Sequence, residues 1–66
     1  MPELNLTERD LQVLKLIAAG LTNSEIAAEV MLSKDTIKWY RKRLLVKFQA
    51  VNSAELVYKA SEMKII

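Results

Sequence analysis

One short stretch of this 66-residue chain gathers the side chains able to do chemistry. Between positions 34 and 47 stand Lys34, Lys38, Arg41, Lys42, Arg43 and Lys47 against Asp35 alone, a local charge of +5 in a chain whose total is +2. Residues 1–33 hold Arg9 and Lys15 against Glu3, Glu8, Asp10, Glu25 and Glu29, and are net acidic. A basic segment set in a near-neutral chain is the electrostatic footprint of a surface for a polyanion. A solvated helix face is the plainer alternative.

At 100° per residue, Ile37, Tyr40, Leu44 and Phe48 line one stripe of such a helix, with Leu45 at its edge. Asp35, Lys38, Trp39, Lys42, Arg43 and Val46 fall on the opposite side. Lys38 and Lys42 stack one turn apart there, and Lys34 precedes them in the first turn. Trp39 is an aromatic turned away from a core it could have joined, which marks a surface with a partner. A basic helix about 15 residues long fits the major groove of B-DNA, where Lys and Arg donate to guanine edges. The bland alternative folds Trp39 back over a neighbour on a plain surface helix.

Other chemistries lack their residues. The chain has no Cys and no His, which excludes a zinc finger, a cysteine nucleophile and an imidazole base. The eight Asp and Glu are dispersed, so no metal site, cofactor site or convergent catalytic constellation is expected. No stretch is long and apolar enough to span a membrane, and the N-terminus lacks a signal peptide's plan; the expected compartment is the cytoplasm. With 52% hydrophobic residues, one Gly and one Pro, residues 1–66 read as one small all-α domain.

The elements that position the basic stretch are marked by helix starts. Leu6-Thr7-x-x-Asp10 is a capping box, with Asp10 a shorter substitute for Glu and Leu6 a staple onto Leu11. Leu21-Thr22-x-x-Glu25 repeats the pattern, with Leu21 against Ile26. Ser33 caps a third start with Leu32 against Ile37, and Asn52 with Glu55 a fourth with Val51 against Leu56. Gly20 ends the first helix. The expected helices are 7–19, 22–30, 33–48 and 52–63. Their inner faces are Leu11, Leu14, Ile17 and Ala18, broadened by Val13 and Leu16; then Ile26, Ala27 and Val30; then the stripe above; then Leu56, Val57, Ala60 and Met63. The second and third are joined by a turn so short that they form a helix-turn-helix. The starts of the second and third helices also offer free N–H groups and hydroxyls to phosphate.

These residues resemble a known family. Leu6-Thr7-x-Arg9-Asp10-x-x-Val13-Leu14, Gly20-Leu21-Thr22-Asn23-x-Glu25-Ile26-Ala27, Leu32-Ser33-x-x-Thr36-Ile37-Lys38, Leu45-x-Lys47 and Asn52-x-x-Glu55-Leu56-Val57 are similar, in order and spacing, to the LuxR-type (GerE or NarL/FixJ-type) DNA-binding domain. The resemblance implies double-stranded DNA as partner, the third helix in the major groove, and base contact from Lys38, Trp39 and Lys42. It implies phosphate contact near Thr22, Ser24, Ser33 and Thr36, with Lys47 in addition; Lys34, in the first turn of the basic helix, is a further phosphate candidate by its position and charge. It implies a homodimer on DNA through the fourth helix, at Val57 and Tyr58, and RNA polymerase as a further partner. The domain would be the output part of a longer bacterial response regulator or other signal-dependent regulator. Three departures stand out: Tyr40 where the family often has His, Gln49 where a Gly usually ends the third helix, and Ser53 where an Arg is common. Without that Gly the third helix is expected to extend or turn differently, and Ser53 to remove a polar anchor.

Alternatives of other classes are a protein-interaction module of the same fold, gripping an acidic partner, and a promoter-recognising region like that of a sigma factor. The Gly20–Ala27 and Asn52–Val57 patterns fit the latter less well.

Overall fold

The computed structural model describes residues 5–66, and these form four helices: α1 Glu8–Ala18, α2 Asn23–Val30, α3 Lys34–Phe48 and α4 Ser53–Glu62. Each begins one residue after the expected start, which serves as its N-cap. The hydroxyls of Thr7 and Thr22 accept from the backbone N–H of Asp10 and Glu25, whose carboxylates accept from the cap's own N–H. Ser33 accepts from Thr36 N–H, and Asn52 from Glu55 N–H. In α4 the box is displaced: the Glu55 carboxylate reaches the N–H of Val51, one residue before the cap, at 3.0 Å.

All four helices leave by the same device. Gly20, Met31, Gln49 and Lys64 take left-handed backbone, with φ of +89°, +59°, +54° and +58°. The N–H of the following residue then returns to a carbonyl five positions back: Leu21 to Leu16, Leu32 to Ala27, Ala50 to Leu45 and Ile65 to Ala60. Each of those following residues packs on the core, the apolar contact that accompanies this kind of exit. Gln49 therefore ends α3 just as a glycine would, and the expectation of an altered exit is overturned. The same geometry turns Ala50 inward and leaves Val51 exposed, so Val51 is not the staple expected of it.

The core is one cluster: Val13, Leu14 and Ile17 of α1, Ile26, Ala27 and Val30 of α2, Ile37, Leu44 and Phe48 of α3, and Leu56 and Ala60 of α4. α3 packs against all three other helices, which fixes its axis from several sides. The inner stripe of α1 is narrower than the expected one: Val13, Leu14 and Ile17 are buried as expected, whereas Leu11 and Leu16 are half-buried and Ala18 is exposed. Asp10 belongs to that stripe, at helical spacing from Val13, Leu14 and Ile17, and is completely buried. Met63 lies largely outside the core at 42% exposure, while Ile65 packs against it.

Candidate nucleic-acid interface

Five of the six cations of the basic stretch divide into two sets. Lys34, Lys38 and Lys42 are exposed, on the same side as Trp39 and Val46. Arg41 and Arg43 are half-buried and turn toward the other helices. Arg41 donates to Asn23 Oδ1 at the start of α2 and to Ser53 Oγ at the start of α4, joining three helices through one guanidinium. Ser53 thus receives a polar anchor from α3. Arg43, expected on the outward face, pairs with the buried Asp10, its Nε 3.2 Å from Oδ1. The reason is register: Thr36, Tyr40, Arg43 and Lys47 form a half-buried stripe along one flank of α3.

Burial alone would raise the Asp10 carboxyl. The Thr7 N–H, the Arg43 hydrogen bonds and charge, and the Thr7 hydroxyl outweigh it and hold the group below its ordinary value of 3.8. A carboxylate with these partners stays ionised near neutrality and keeps its hold on the guanidinium.

Trp39 is exposed but not loose. Its ring meets Tyr40 edge-on, centroids 4.9 Å apart and planes at 85°, and the Arg43 guanidinium carbon lies 5.5 Å from its centroid. The alternative of Trp39 lying against a neighbour is thus half right: it is supported from within the helix while 56% of its surface faces out. Trp39, Lys42, Arg43, Val46 and Lys47 line an open concavity of about 390 Å³ on this side. The result is an aromatic and apolar floor with lysines along its edges, suited to base edges and phosphate rather than to an enclosed small molecule.

The other expected contacts lie at helix starts. Thr22 and Ser24 are exposed at the N-terminus of α2, and Ser33 at that of α3, where the hydroxyls of Ser33 and the half-buried Thr36 are 2.8 Å apart. The hydroxyls of Thr22 and Ser33 are used in capping, which leaves first-turn N–H groups and the positive end of each helix dipole toward solvent. Lys47 is half-buried, and its ammonium donates to the Asn5 carbonyl at 3.3 Å. On α4, Tyr58 is 64% exposed, whereas Val57 is partly covered and packs on the core.

Sequence reading missed Asp10, Arg41 and Arg43 as organising residues, and also Arg9, whose guanidinium donates to the Val30 carbonyl at 3.0 Å and ties α1 to the end of α2. One signal was present. A carboxylate spaced with Val13, Leu14 and Ile17 sits on an apolar face and requires a buried cation or donor. Among the described residues no group of His, Cys, Asp and Glu could hold a metal ion, and no helix is long and apolar enough to cross a membrane.

Comparison with known proteins agrees with this arrangement. The family model for bacterial regulatory proteins of the luxR family matches residues 4–60. The chain is 42% identical over 52 residues to BvgA, a putative positive transcription regulator of virulence factors from Bordetella pertussis, covering 79% of this chain and 25% of that protein. It is 31% identical over 55 residues to the HTH-type transcriptional regulator AlkS of Alcanivorax borkumensis, covering 83% of this chain and 6% of the relative. The chain therefore spans only a small part of these relatives. The response regulator ChrA of a heme-sensing two-component system has the same fold, with a TM-score of 0.91 over all of this chain and 33% of its own, at 24% identity. With four helices in the expected order, a short turn between α2 and α3 and an outward row of lysines on α3, the chain belongs to the luxR family of bacterial regulatory proteins, as a helix-turn-helix domain of DNA-binding transcription regulation.

Proposed function

We propose that this domain reads a defined sequence of double-stranded DNA with α3 in the major groove, as the output part of a longer signal-dependent regulator. The observation that carries the reading is the division of cations on α3. Arg41 and Arg43 are committed to the fold, while Lys34, Lys38 and Lys42 share one exposed face with Trp39. Lys38 and Lys42 donate to base edges, and Trp39 offers an apolar surface to thymine methyl groups. The N-termini of α2 and α3, with Thr22, Ser24, Ser33, Lys34 and Thr36, hold phosphates and set the angle of α3. Lys47 contributes at the far end of the helix. That the relatives are several times longer supports the assignment as one part of a regulator whose signal is received elsewhere.

Pairing on DNA is assigned to α4, supported by the exposed Tyr58 on the helix that packs behind α3. Two domains then contact half-sites about one helical turn apart. Selection of bound duplexes from a random pool tests both parts. A reproducible half-site whose preference relaxes in Lys38→Met or Lys42→Met supports the reading. Sedimentation on the selected duplex then reports the pairing: a strictly 1:1 complex on a two-half-site DNA contradicts it, as does pairing that Tyr58→Ala leaves unchanged. Equal, weak retention of all sequences contradicts base reading by α3.

A further inference from the structure

We propose that Asp10 and Arg43 are positioning residues for Trp39, so that the first turn of α1 sets which bases the reading face prefers. The inference rests on the DNA-binding reading above and goes beyond it, because neither residue is assigned a DNA contact.

The chain of contacts is continuous. Trp39 and Arg43 are one helical turn apart, which brings the guanidinium to 5.5 Å from the indole centroid. A free arginine on a helix surface would sample many rotamers and give such a ring little support. Arg43 is not free: its Nε lies 3.2 and 3.4 Å from the two Asp10 carboxylate oxygens, and Nη2 lies 3.5 Å from Oδ2. Asp10 is itself fixed, its side chain fully buried and its Oδ2 accepting from the Thr7 N–H at 3.1 Å within the capping box. Tyr40 holds the indole from a second direction. Trp39 thus has an exposed reading surface on an immobile base, the arrangement that spares a recognition side chain the entropy of ordering on contact.

The proposal also says what Arg43 does not do. Its charge is neutralised by a buried carboxylate, so it is not one of the groups that displace counterions from DNA. A direct phosphate ligand and a positioning residue therefore differ in a measurable way.

The test compares wild type with Asp10→Asn and with the double variant Asp10→Asn/Arg43→Met, far-UV circular dichroism confirming the fold of each. The double variant removes one charge of each sign, leaving net charge unchanged and no unpaired ion in the interior, and the asparagine amide oxygen still accepts from the Thr7 N–H. Trp39 is the single tryptophan of the chain, so its near-UV dichroism and its quenching by acrylamide report the positioning without DNA. Both variants are expected to lose near-UV signal and become more quenchable. On the selected duplex, discrimination at the bases nearest Trp39 is expected to fall by roughly tenfold, the size of one lost base contact. The salt slope of the double variant is expected to equal wild type. Unchanged Trp39 signals in both variants would overturn the proposal, as would a slope reduced by about 0.9, the mark of a lost phosphate ligand. If wild type binds no duplex selectively, the DNA reading fails, and the quenching and dichroism still decide whether Asp10 and Arg43 position Trp39.

Discussion

Asp10 and Arg43, 33 positions apart, form an ion pair in which the Asp10 side chain is fully buried and the Arg43 side chain is 34% exposed. The pair locks the start of α1 to the middle of α3, and it gives the domain an acid-sensitive joint. Because the folded pKa of Asp10 is held below its ordinary 3.8, the unfolded chain binds more protons between the two values, and stability rises with pH there. The contribution is complete above the unfolded value and is lost as pH falls through the folded one. Urea midpoints of wild type and Asp10→Asn/Arg43→Met, measured from pH 8 down to pH 2, should differ by a constant amount above about pH 5 and converge below about pH 4. A gap that widens on acidification would contradict this role for Asp10.

The helix exits make a second prediction. Met31 and Gln49 hold left-handed backbone that costs a residue with a Cβ roughly 1 kcal/mol and costs glycine nothing comparable. Gln49→Gly and Met31→Gly should each raise stability by up to about 1 kcal/mol in urea unfolding, while Gly20→Ala should lower it by a similar amount. Beyond its chain neighbours, nothing lies within 4 Å of where a Cβ on Gly20 would stand, so the loss there is backbone strain rather than a clash with the rest of the fold.

A third concerns the joint between α2, α3 and α4. Arg41 occupies the space in front of Ser53, which means the arginine common at position 53 in the family would meet a like charge. Ser53→Arg should therefore destabilise this chain, by roughly 1–2 kcal/mol with loss of the Arg41 bond. Arg41→Leu/Ser53→Arg should recover much of that. Thermal unfolding of the two variants distinguishes this from general intolerance of arginine at position 53, in which case the double variant gains nothing.

A fourth addresses recognition. Lys38→Met and Lys42→Met should each weaken the selected duplex by about 1–3 kcal/mol and flatten preference at one position, whereas Lys34→Met should weaken all sequences alike. Titration of matched and mismatched duplexes separates the two patterns.

What could be read in the chain was what is local in it. Thr7, Thr22, Ser33 and Asn52 announced their helices because a cap and its N–H lie three residues apart. The exposed row of Lys34, Lys38 and Lys42 followed from helical periodicity and charge. The exits at Met31, Gln49 and Lys64 carry no glycine to betray them, and the swap of Ala50 for Val51 at the start of α4 depends on one of those exits. Asp10, Arg41 and Arg43 were illegible for another reason: each meets its partner across the fold, and an arginine on a helix flank looks the same whether it faces DNA or a buried carboxylate.

The salt dependence of binding to the selected duplex bears hardest on the reading of α3. With Lys34 and Lys47 on phosphates in each domain, and two helix N-termini adding partial positive charge, log K against log salt should fall with a slope of about −2 or steeper per bound domain, each neutralised phosphate contributing roughly −0.9. It should become shallower when Lys34 is removed. A slope between 0 and about −1 for the intact domain would mean that this basic face does not lie on DNA.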